Sequence, residues 1–176
     1  MKTVVIYKSK TGYVKNYAEW IGEDLGADVI ELDDLNTDDL LPYDTIIYGG
    51  GLYAVGINGL DKVLKTFDDL KYKNIILYMT GASPGRPEVL NEVLDKNLNA
   101  EQRKYIKSFY LRGGFEYERL GFVDKRLMDL LKLKLKKKKD LTPDDQGMLN
   151  AYNTPVDFTR KENLKELLDY VKSLDK

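Results

Sequence analysis

Strand-like and helix-like segments alternate five times in the first 114 residues, and this alternation limits the possible folds more than any other feature of the chain. The strand-like segments are Val4–Tyr7, Asp28–Leu35, Thr45–Tyr48, Lys73–Gly81 and Ile106–Gly114. They are mainly apolar rather than regularly alternating, as expected for strands that helices cover on both faces. The pattern therefore predicts an α/β fold, a doubly wound five-stranded parallel sheet with helices on both faces.

The segments between the strands carry apolar residues at helical spacing. We expect helices over Tyr13–Leu25, Asn58–Leu70 and Pro87–Leu98. Gly26 suits the C-cap of the first helix, and Pro87 stands at a first-turn position that tolerates proline.

After the fifth strand the alternation stops. Residues 117–140 form an inserted amphipathic basic segment, and residues 141–159 have the composition of a loop. Lys161–Leu174 are expected to form a closing helix with Thr159 as its N-cap. Because neither a linker nor an internal repeat is evident, residues 1–176 are expected to form one domain.

The composition excludes several kinds of chemistry. The chain has no cysteine and no histidine, so thiol chemistry, thiolate-bound metals and a Ser-His-Asp triad are impossible. Its net charge of −1 does not indicate a general nucleic-acid binder. No apolar run approaches 18 residues, and the first apolar stretch is too short for a signal peptide. A cytoplasmic location is therefore expected.

The turn after the first strand, "KSKTGYV" at Lys8–Val14, has the features of an anion site. Ser9 and Thr11 offer hydroxyl groups, Gly12 lets the backbone approach a ligand, and a helix begins near Tyr13. The turn matches neither the Walker A loop nor the dinucleotide-binding glycine pattern. The alternative interpretation is a strand-to-helix turn in which Ser and Thr only cap the helix.

Other strand ends of a parallel sheet meet this turn at the same edge. "GGGLYAVG" brings glycines and an aromatic ring, Tyr53, that could lie against a flat ligand, and "TGASPGR" brings backbone and hydroxyl groups. Such a phosphate loop with two ring-contacting loops predicts a flavin mononucleotide (FMN) site. The plainer alternative is that the glycines only make a tight strand exit.

The predicted cofactor contacts all lie on these three loops. They are Ser9, Lys10, Thr11, Gly12, Tyr13, Val14, Gly50, Gly51, Leu52, Tyr53, Ala54, Thr80, Gly81, Ala82 and Ser83. No metal site is expected, because the acidic cluster Asp33, Asp34, Asp38 and Asp39 lacks the ordered spacing of cation ligands.

The stretch "VVIYKSKTGYVKNYAEWI" resembles the signature of the flavodoxin family. Positions of that signature are matched by Ser9, Thr11, Gly12, Ala18 and Ile21. The resemblance implies a flavodoxin-like fold that binds FMN. Val14 departs from it, because the family usually has a third hydroxyl there. A hydrogen bond of this kind contributes about 0.5–1.5 kcal/mol, so weaker FMN binding is expected.

The rest of the chain resembles the tail of the menaquinone-dependent protoporphyrinogen dehydrogenase group. The matching residues are Leu111–Arg112, Asp124–Met128 and Val156–Thr159, although the interval from Arg112 to Asp124 is longer than expected. The resemblance implies that a bound flavin oxidises protoporphyrinogen or a similar substrate and passes electrons to a quinone. The flavin carries the chemistry, and Arg86 and Arg112 are candidates to meet a substrate carboxylate.

Six of the eight residues from Lys132 to Lys139 are lysines, and Val123, Leu127 and Leu130 belong to an apolar stripe before them. One interpretation is a helix that packs its leucines on the sheet edge and leaves its lysines in solvent. The other is contact with an anionic surface: a membrane interface, an acidic partner or tetrapyrrole carboxylates. Nucleic acid is not expected, because aromatic residues are not interleaved with the lysines.

Three functions remain open from the sequence. The first is a flavin-dependent oxidoreductase of the protoporphyrinogen dehydrogenase type, possible in a chain without histidine or cysteine because the cofactor supplies the chemistry. The second is an electron-transfer flavodoxin with a redox partner protein and no substrate of its own. The third is an interaction domain that has the fold without the flavin.

Overall fold

The computed structural model describes residues 1–53 and 56–175, without the side chain of Thr37. Its strands are β1 (Thr3–Lys8), β2 (Asp28–Glu31), β3 (Thr45–Tyr53), β4 (Gly56–Ile57), β5 (Asn74–Gly81), β6 (Ile106–Arg112), β7 (Gly114–Phe115) and β8 (Val156–Asp157). Its α-helices are α1 (Tyr13–Leu25), α2 (Leu60–Leu64), α3 (Phe67–Leu70), α4 (Pro87–Asn97), α5 (Ala100–Tyr105), α6 (Phe122–Lys136), α7 (Pro143–Ala151) and α8 (Lys165–Ser173). Ala54, a predicted cofactor contact, lies outside the described residues.

Five strands form a parallel sheet in the order β2-β1-β3-β5-β6, and β4 folds back antiparallel against β3. In the centre of the sheet Val5 pairs with Val29 on one side and Ile47 on the other. The predicted doubly wound sheet is confirmed. Because the connections reverse direction between β1 and β3, a topological switch point lies beyond the carboxyl ends of these strands.

Helices cover both faces of the sheet with separate apolar layers. The layer formed with α1 and α8 buries Tyr17, Ala18, Ile21, Leu164, Leu167 and Val171. The layer formed with α2, α3 and α4 buries Leu60, Phe67, Leu70, Val93, Leu94 and Leu98. Each large apolar side chain that is removed from water contributes about 1.5–3 kcal/mol, so both layers hold the sheet edge in a fixed geometry.

The glycines of "GGGLYAVG" do not form the loop that the sequence predicted. Gly49–Gly51 continue β3, and the chain then returns as the β3–β4 hairpin. Gly49 lies opposite Tyr78, whose ring fills the space that a Cβ at position 49 would occupy. Glycine is needed there for close packing, and this packing outweighs its low strand propensity.

Two helix predictions need correction. The predicted helix Asn58–Leu70 is divided into α2 and α3, where the Thr66 hydroxyl donates a hydrogen bond to the Val63 carbonyl at 2.9 Å. Such back-bonding competes with regular helix hydrogen bonds. Thr159 is not a helix N-cap, because its N–H donates to Asp157 at 2.8 Å and a 3₁₀ turn at Lys161–Leu164 precedes α8.

The predicted loop over residues 141–159 contains α7 and β8. Thr142 begins α7 with a capping box: its hydroxyl accepts from the Asp145 N–H at 3.2 Å, and its own N–H donates to the Asp145 carboxylate at 2.8 Å. Pro143 occupies the first turn. The local cap stabilises a helix whose polar composition carries little apolar periodicity. Among the described residues, no helix is long and apolar enough to cross a membrane.

Candidate functional site

The loop between β1 and α1, residues 9–12, lies at the switch point. Gly12 has a left-handed backbone (φ 94°) as the N-cap of α1, and no side chain caps the helix. The first intrahelical hydrogen bond runs from the Asn16 N–H to the Gly12 carbonyl at 3.0 Å. The N–H groups of Tyr13, Val14 and Lys15, which come before Asn16 in the first turn, therefore have no acceptor within the helix. With no acidic residue in that turn, the helix start attracts an anion.

Side chains around this helix start divide between the loop and the core. The Ser9 hydroxyl accepts from the Gly12 N–H at 3.1 Å, which fixes the loop. Tyr13 and Val14 are buried instead. The Tyr13 ring packs against Gly114, and the Val14 carbonyl accepts from the Tyr78 hydroxyl at 3.0 Å. Tyr13 and Val14 therefore present only backbone N–H groups to the loop.

The cation beside the loop backbone is an arginine that the sequence analysis missed. Arg119, in the 3₁₀ turn before α6, places Nη1 3.3 Å from the Thr11 carbonyl oxygen and also pairs with Glu116 at 2.7 Å. Lys8 instead pairs with Asp33. Because 108 positions separate Arg119 from Thr11, no local pattern in the sequence connects them.

Lys10 and Tyr53 connect the loop to the end of β3. The Lys10 ammonium lies 4.2 Å from the centroid of the Tyr53 ring and 2.8 Å from the carboxylate of Asp124 at the start of α6. Burial, together with the Asp124 charge, raises the pKa of Tyr53 to about 12, and a hydrogen bond with Thr11 opposes this rise. The structure thus brings Lys10, Thr11 and Tyr53 together.

A cavity of about 310 Å³ opens beside this cluster. It is lined by Lys10, Tyr53, Gly56, Ile57, Asn58, Leu60, Asp61, Leu64, Lys96 and Asn97. The Asn58 Nδ2 is buried and has no hydrogen-bond partner among the described residues. The site therefore combines a ring-sized space with an unused donor, but Ser9, Thr11 and residues 80–83 do not line it.

The third predicted loop, after β5, is fastened to β6. The Tyr110 hydroxyl lies 2.7 Å from the Gly81 carbonyl oxygen and 2.6 Å from that of Ser83. Arg112 Nε donates to the Ala82 carbonyl at 3.1 Å. These contacts hold the loop in one conformation.

Thr80, the second-last residue of β5, lies beside Gly51 of β3. Its Oγ1 is buried without a hydrogen-bond partner within residues 1–53 and 56–175. Gly50 lies farther back in β3, where an added Cβ would come within 2.7 Å of the Ile57 side chain, and Leu52 pairs with Ile57 in the hairpin. The carboxyl ends of β3 and β5 thus form one close-packed edge.

The two arginines predicted to meet a substrate carboxylate contact other parts of the chain. Arg86 pairs with Asp144 of α7. The Arg112 guanidinium stacks on the Phe158 ring, 3.6 Å from its centroid. Their roles toward a substrate stay a prediction.

Within the described residues, no group of three or more acidic side chains is arranged to hold a metal ion. Asp33, from the acidic cluster of the sequence, instead bonds to Lys8 and Lys62, and these contacts lower its pKa.

Comparison with known proteins supports a family assignment. A family model described as "Flavodoxin domain" matches residues 4–142. No curated protein matched the chain. Solved structures similar to it include a flavodoxin from the domain Archaea, with 22% identity over 72% of this chain and 93% of that chain (TM-score 0.41).

Two further solved structures are similar. The Trp repressor binding protein from Bacillus subtilis has 18% identity over 64% of this chain and 83% of that chain (TM-score 0.47). Rubredoxin oxygen:oxidoreductase from Desulfovibrio gigas has 13% identity over 98% of this chain and 36% of that chain (TM-score 0.49). The sequence identities and TM-scores of these solved structures are too low to carry an argument. The family model, in contrast, covers most of the chain. The chain belongs to the flavodoxin-domain family.

Proposed function

We propose that this chain is an FMN-binding redox protein. The observation that carries the proposal is the uncapped start of α1 at the switch point, with the Ser9 hydroxyl and the Arg119 guanidinium beside it and the Thr11 hydroxyl on the same loop, bonded to Tyr53. Backbone N–H groups, hydroxyl groups and a cation are the donors that a phosphate requires. Membership in the flavodoxin-domain family supports a flavin as the group that carries this phosphate.

The residues present fit such a cofactor. The N–H groups after Gly12 would hold the phosphate, and Tyr53 at the end of β3 would lie against the ring. Two buried polar atoms without a partner among the described residues, Asn58 Nδ2 and Thr80 Oγ1, lie at the ends of β4 and β5. The ring of a flavin has carbonyl and nitrogen acceptors that suit such donors. FMN would supply electron transfer, which the chain's own residues do not provide.

Titration with two flavins tests the proposal. FMN and riboflavin share the ring, but only FMN carries the phosphate. We expect tight binding of FMN, weaker binding of riboflavin, and loss of FMN binding in Thr11→Asp, because the added carboxylate would repel the phosphate. Ser173→Asp is the matched control, because it adds the same charge far from the loop. Residue 173 is close in sequence to Asp175, whose carboxylate contacts the Met1 amino group at the opposite edge of the sheet.

The outcomes separate the proposal from the alternatives. If neither flavin binds the purified protein, the proposal fails and a flavin-free interaction domain is the better account. If FMN and riboflavin bind equally and Thr11→Asp has no effect, the loop only connects β1 to α1 and does not bind the phosphate. An equal loss of FMN affinity in Thr11→Asp and Ser173→Asp would indicate an effect of net charge rather than of the loop.

The more specific function is oxidation of protoporphyrinogen or a similar substrate with a quinone as electron acceptor. The tail residues that resemble the protoporphyrinogen dehydrogenase group support it, among them Arg112 at the end of β6. The test supplies protoporphyrinogen and a menaquinone analogue to the FMN-loaded protein without oxygen. FMN-dependent porphyrin formation is expected, and its absence would refute this activity.

One observation favours the second candidate, an electron-transfer protein that serves a redox partner. Arg86 and Arg112 both contact groups of the chain itself, Asp144 and Phe158, so a substrate carboxylate would have to displace these contacts. An FMN-loaded protein that exchanges electrons with a reductase but forms no porphyrin would establish this candidate instead.

A further inference from the structure

Helix α6 exposes most of its apolar side chains. Five of them are 55–75% exposed, although a helix that packed its leucines against the sheet would bury them. They are Phe122, Val123, Leu127, Leu130 and Leu133. Leu135 is the α6 residue that is buried. The interpretation of α6 as a helix packed by its leucines on the sheet edge is therefore wrong for most of its length.

Charges on α6 are sorted by side. Its acidic residues turn inward: the Asp124 side chain is 12% exposed and contacts Lys10, and Asp129 accepts from the Tyr117 hydroxyl at 2.7 Å. The exposed positions between the apolar residues carry only positive charge, from Arg126, Lys134 and the C-cap residue Lys137. We call these three residues, with the five exposed apolar ones, the outer face of α6.

We infer that the outer face of α6 binds the surface of an anionic lipid bilayer. An amphipathic helix with large apolar side chains and cations on one side lies in the boundary between acyl chains and headgroups. Its long basic side chains extend from that boundary to anionic headgroups while their stems stay among apolar groups. Of the lysines that follow, Lys139 adds to the same charge, whereas Lys138 pairs with Asp145 of α7.

A second copy of the chain fits this face less well. In a two-fold contact the face would meet itself, and Arg126, Lys134 and Lys137 would approach the same cations of the partner. An acidic lipid surface satisfies both properties of the face at once, because it offers anions at the boundary and hydrocarbon beneath them.

The contact would also orient the molecule. Asp124 joins the inner side of α6 to Lys10, which belongs to the loop between β1 and α1 and lies against Tyr53. A molecule docked through α6 therefore holds the carboxyl edge of its sheet beside the lipid surface. The inference rests on α6 alone, so it does not depend on whether a flavin is bound.

Vesicle sedimentation of the full chain tests the inference. The probes are vesicles of phosphatidylcholine alone and of phosphatidylcholine with phosphatidylglycerol. We expect binding to the anionic vesicles, and a fall in affinity of at least about tenfold when Leu127→Ser and Leu130→Ser remove apolar area. Val89→Ser with Leu41→Ser, at exposed apolar positions outside α6, should leave binding unchanged.

The basic residues have their own variant and control. Each cation near an anionic surface contributes about fivefold to affinity, so Lys134→Gln with Lys137→Gln should weaken binding about 25-fold. Lys65→Gln with Lys104→Gln removes the same charge at exposed positions outside α6 and should have little effect. Phe122→Trp, at the most exposed of these apolar positions, should show a blue-shifted emission with anionic vesicles.

Several results would overturn the inference. They are equal sedimentation with and without phosphatidylglycerol, equal effects of the α6 variants and their controls, or an unshifted Phe122→Trp emission. Concentration-dependent dimers that Leu127→Ser and Leu130→Ser abolish would assign the face to a second copy. Binding of polyglutamate as tightly as of anionic vesicles would assign it to an acidic protein. Circular dichroism on every variant separates these results from loss of folding.

Discussion

Replacement of Arg119 by glutamine gives the sharpest test of the phosphate loop. Arg119 Nη1 lies 3.3 Å from the Thr11 carbonyl oxygen, and it would lie 3.9 Å from a Cβ at Gly12. A phosphate held at the start of α1 would therefore come within about 4–6 Å of the guanidinium, the range over which an opposite charge acts strongly. Arg119→Gln keeps a polar side chain, although a shorter one, while it removes the charge.

The expected magnitude follows from distance and exposure. Two unit charges at about 4 Å attract each other by about 1 kcal/mol in water and by about 4 kcal/mol at an effective dielectric constant of about 20. Because the Arg119 side chain is 56% exposed, the value for water is the better guide. A loss of about 1 kcal/mol weakens binding about fivefold.

Flavin fluorescence during titration with protein measures this effect. The dissociation constant for FMN should rise about fivefold in Arg119→Gln, while that for riboflavin stays unchanged because riboflavin has no phosphate. The difference between FMN and riboflavin should shrink at high salt, which screens exposed charges. Arg103→Gln is the control, because Arg103 pairs with Asp95 at 3.2 Å near the amino end of β6, away from the loop.

Two results would refute this reasoning. Equal weakening of FMN and riboflavin binding would mean that Arg119 supports the structure of the site and not the phosphate. An unchanged FMN dissociation constant would mean that the phosphate, if bound, lies beyond the reach of the guanidinium.

Three further predictions concern the same region. Asp124→Asn should tighten FMN binding about fivefold in a fluorescence titration, because it removes a negative charge near the loop and frees Lys10 to attract the phosphate. Gly49→Ala should lower the free energy of unfolding by about 1–3 kcal/mol, as measured by urea denaturation, because the new Cβ meets the buried Tyr78 ring. Folding raises the pKa of Tyr53 from 10.0 to about 12. The protonated Tyr53 hydroxyl therefore stabilises the folded state fully below pH ~10, and this stabilisation is lost as the pH rises to ~12. In Tyr53→Phe the free energy of unfolding should fall less over that pH range than in the wild type.

Each of these has a matched control. Asp169→Asn removes the same charge on α8, where Asp169 pairs with Lys165, and should not change FMN binding. Gly121→Ala places a Cβ in open space and should be nearly neutral. Tyr72→Phe, at a residue 72% exposed, should keep the wild-type pH dependence. An effect of the control as large as that of its test variant would contradict the corresponding prediction.

The sheet could be predicted because burial on two faces leaves a direct record in the sequence. Strands such as Ile46–Tyr48 must be apolar on both sides, and helix α1 must repeat apolar residues at Val14, Ala18 and Ile21. Gly26 at the end of α1 adopts a left-handed conformation (φ 61°), as its position predicted. These signals are local, so a single sequence contains them.

The errors arose where packing or capping outweighed local preference. Gly49 stands in a strand because the ring of Tyr78, from the neighbouring strand, takes the place of its Cβ. Helix α7 begins at Thr142 through two hydrogen bonds with Asp145, although few of its residues are buried. In both cases the deciding contact is one that apolar periodicity does not record.

The candidate site shows the same division between local and distant information. The hydroxyls of Ser9 and Thr11 and the glycine at position 12 stand together in the sequence, so a candidate anion loop could be proposed from it, and its binding of an anion stays a prediction. Arg119 and Asp124 follow more than one hundred residues later, and only the fold places them beside Thr11 and Lys10. The sequence predicted candidate donors for a phosphate, but not Arg119 and Asp124, whose charges lie close to them.

The inserted helix connects the two properties that distinguish this chain. Asp124 on its inner side pairs with Lys10 of the loop, whereas Leu127 and Leu130 on its outer side stay exposed. A helix that only completed the core would bury those leucines. A helix that only formed a docking surface would not need an inward carboxylate 2.8 Å from the Lys10 ammonium. Because one helix carries both, the contact that holds Asp124 against Lys10 also sets where the exposed leucines lie relative to the loop.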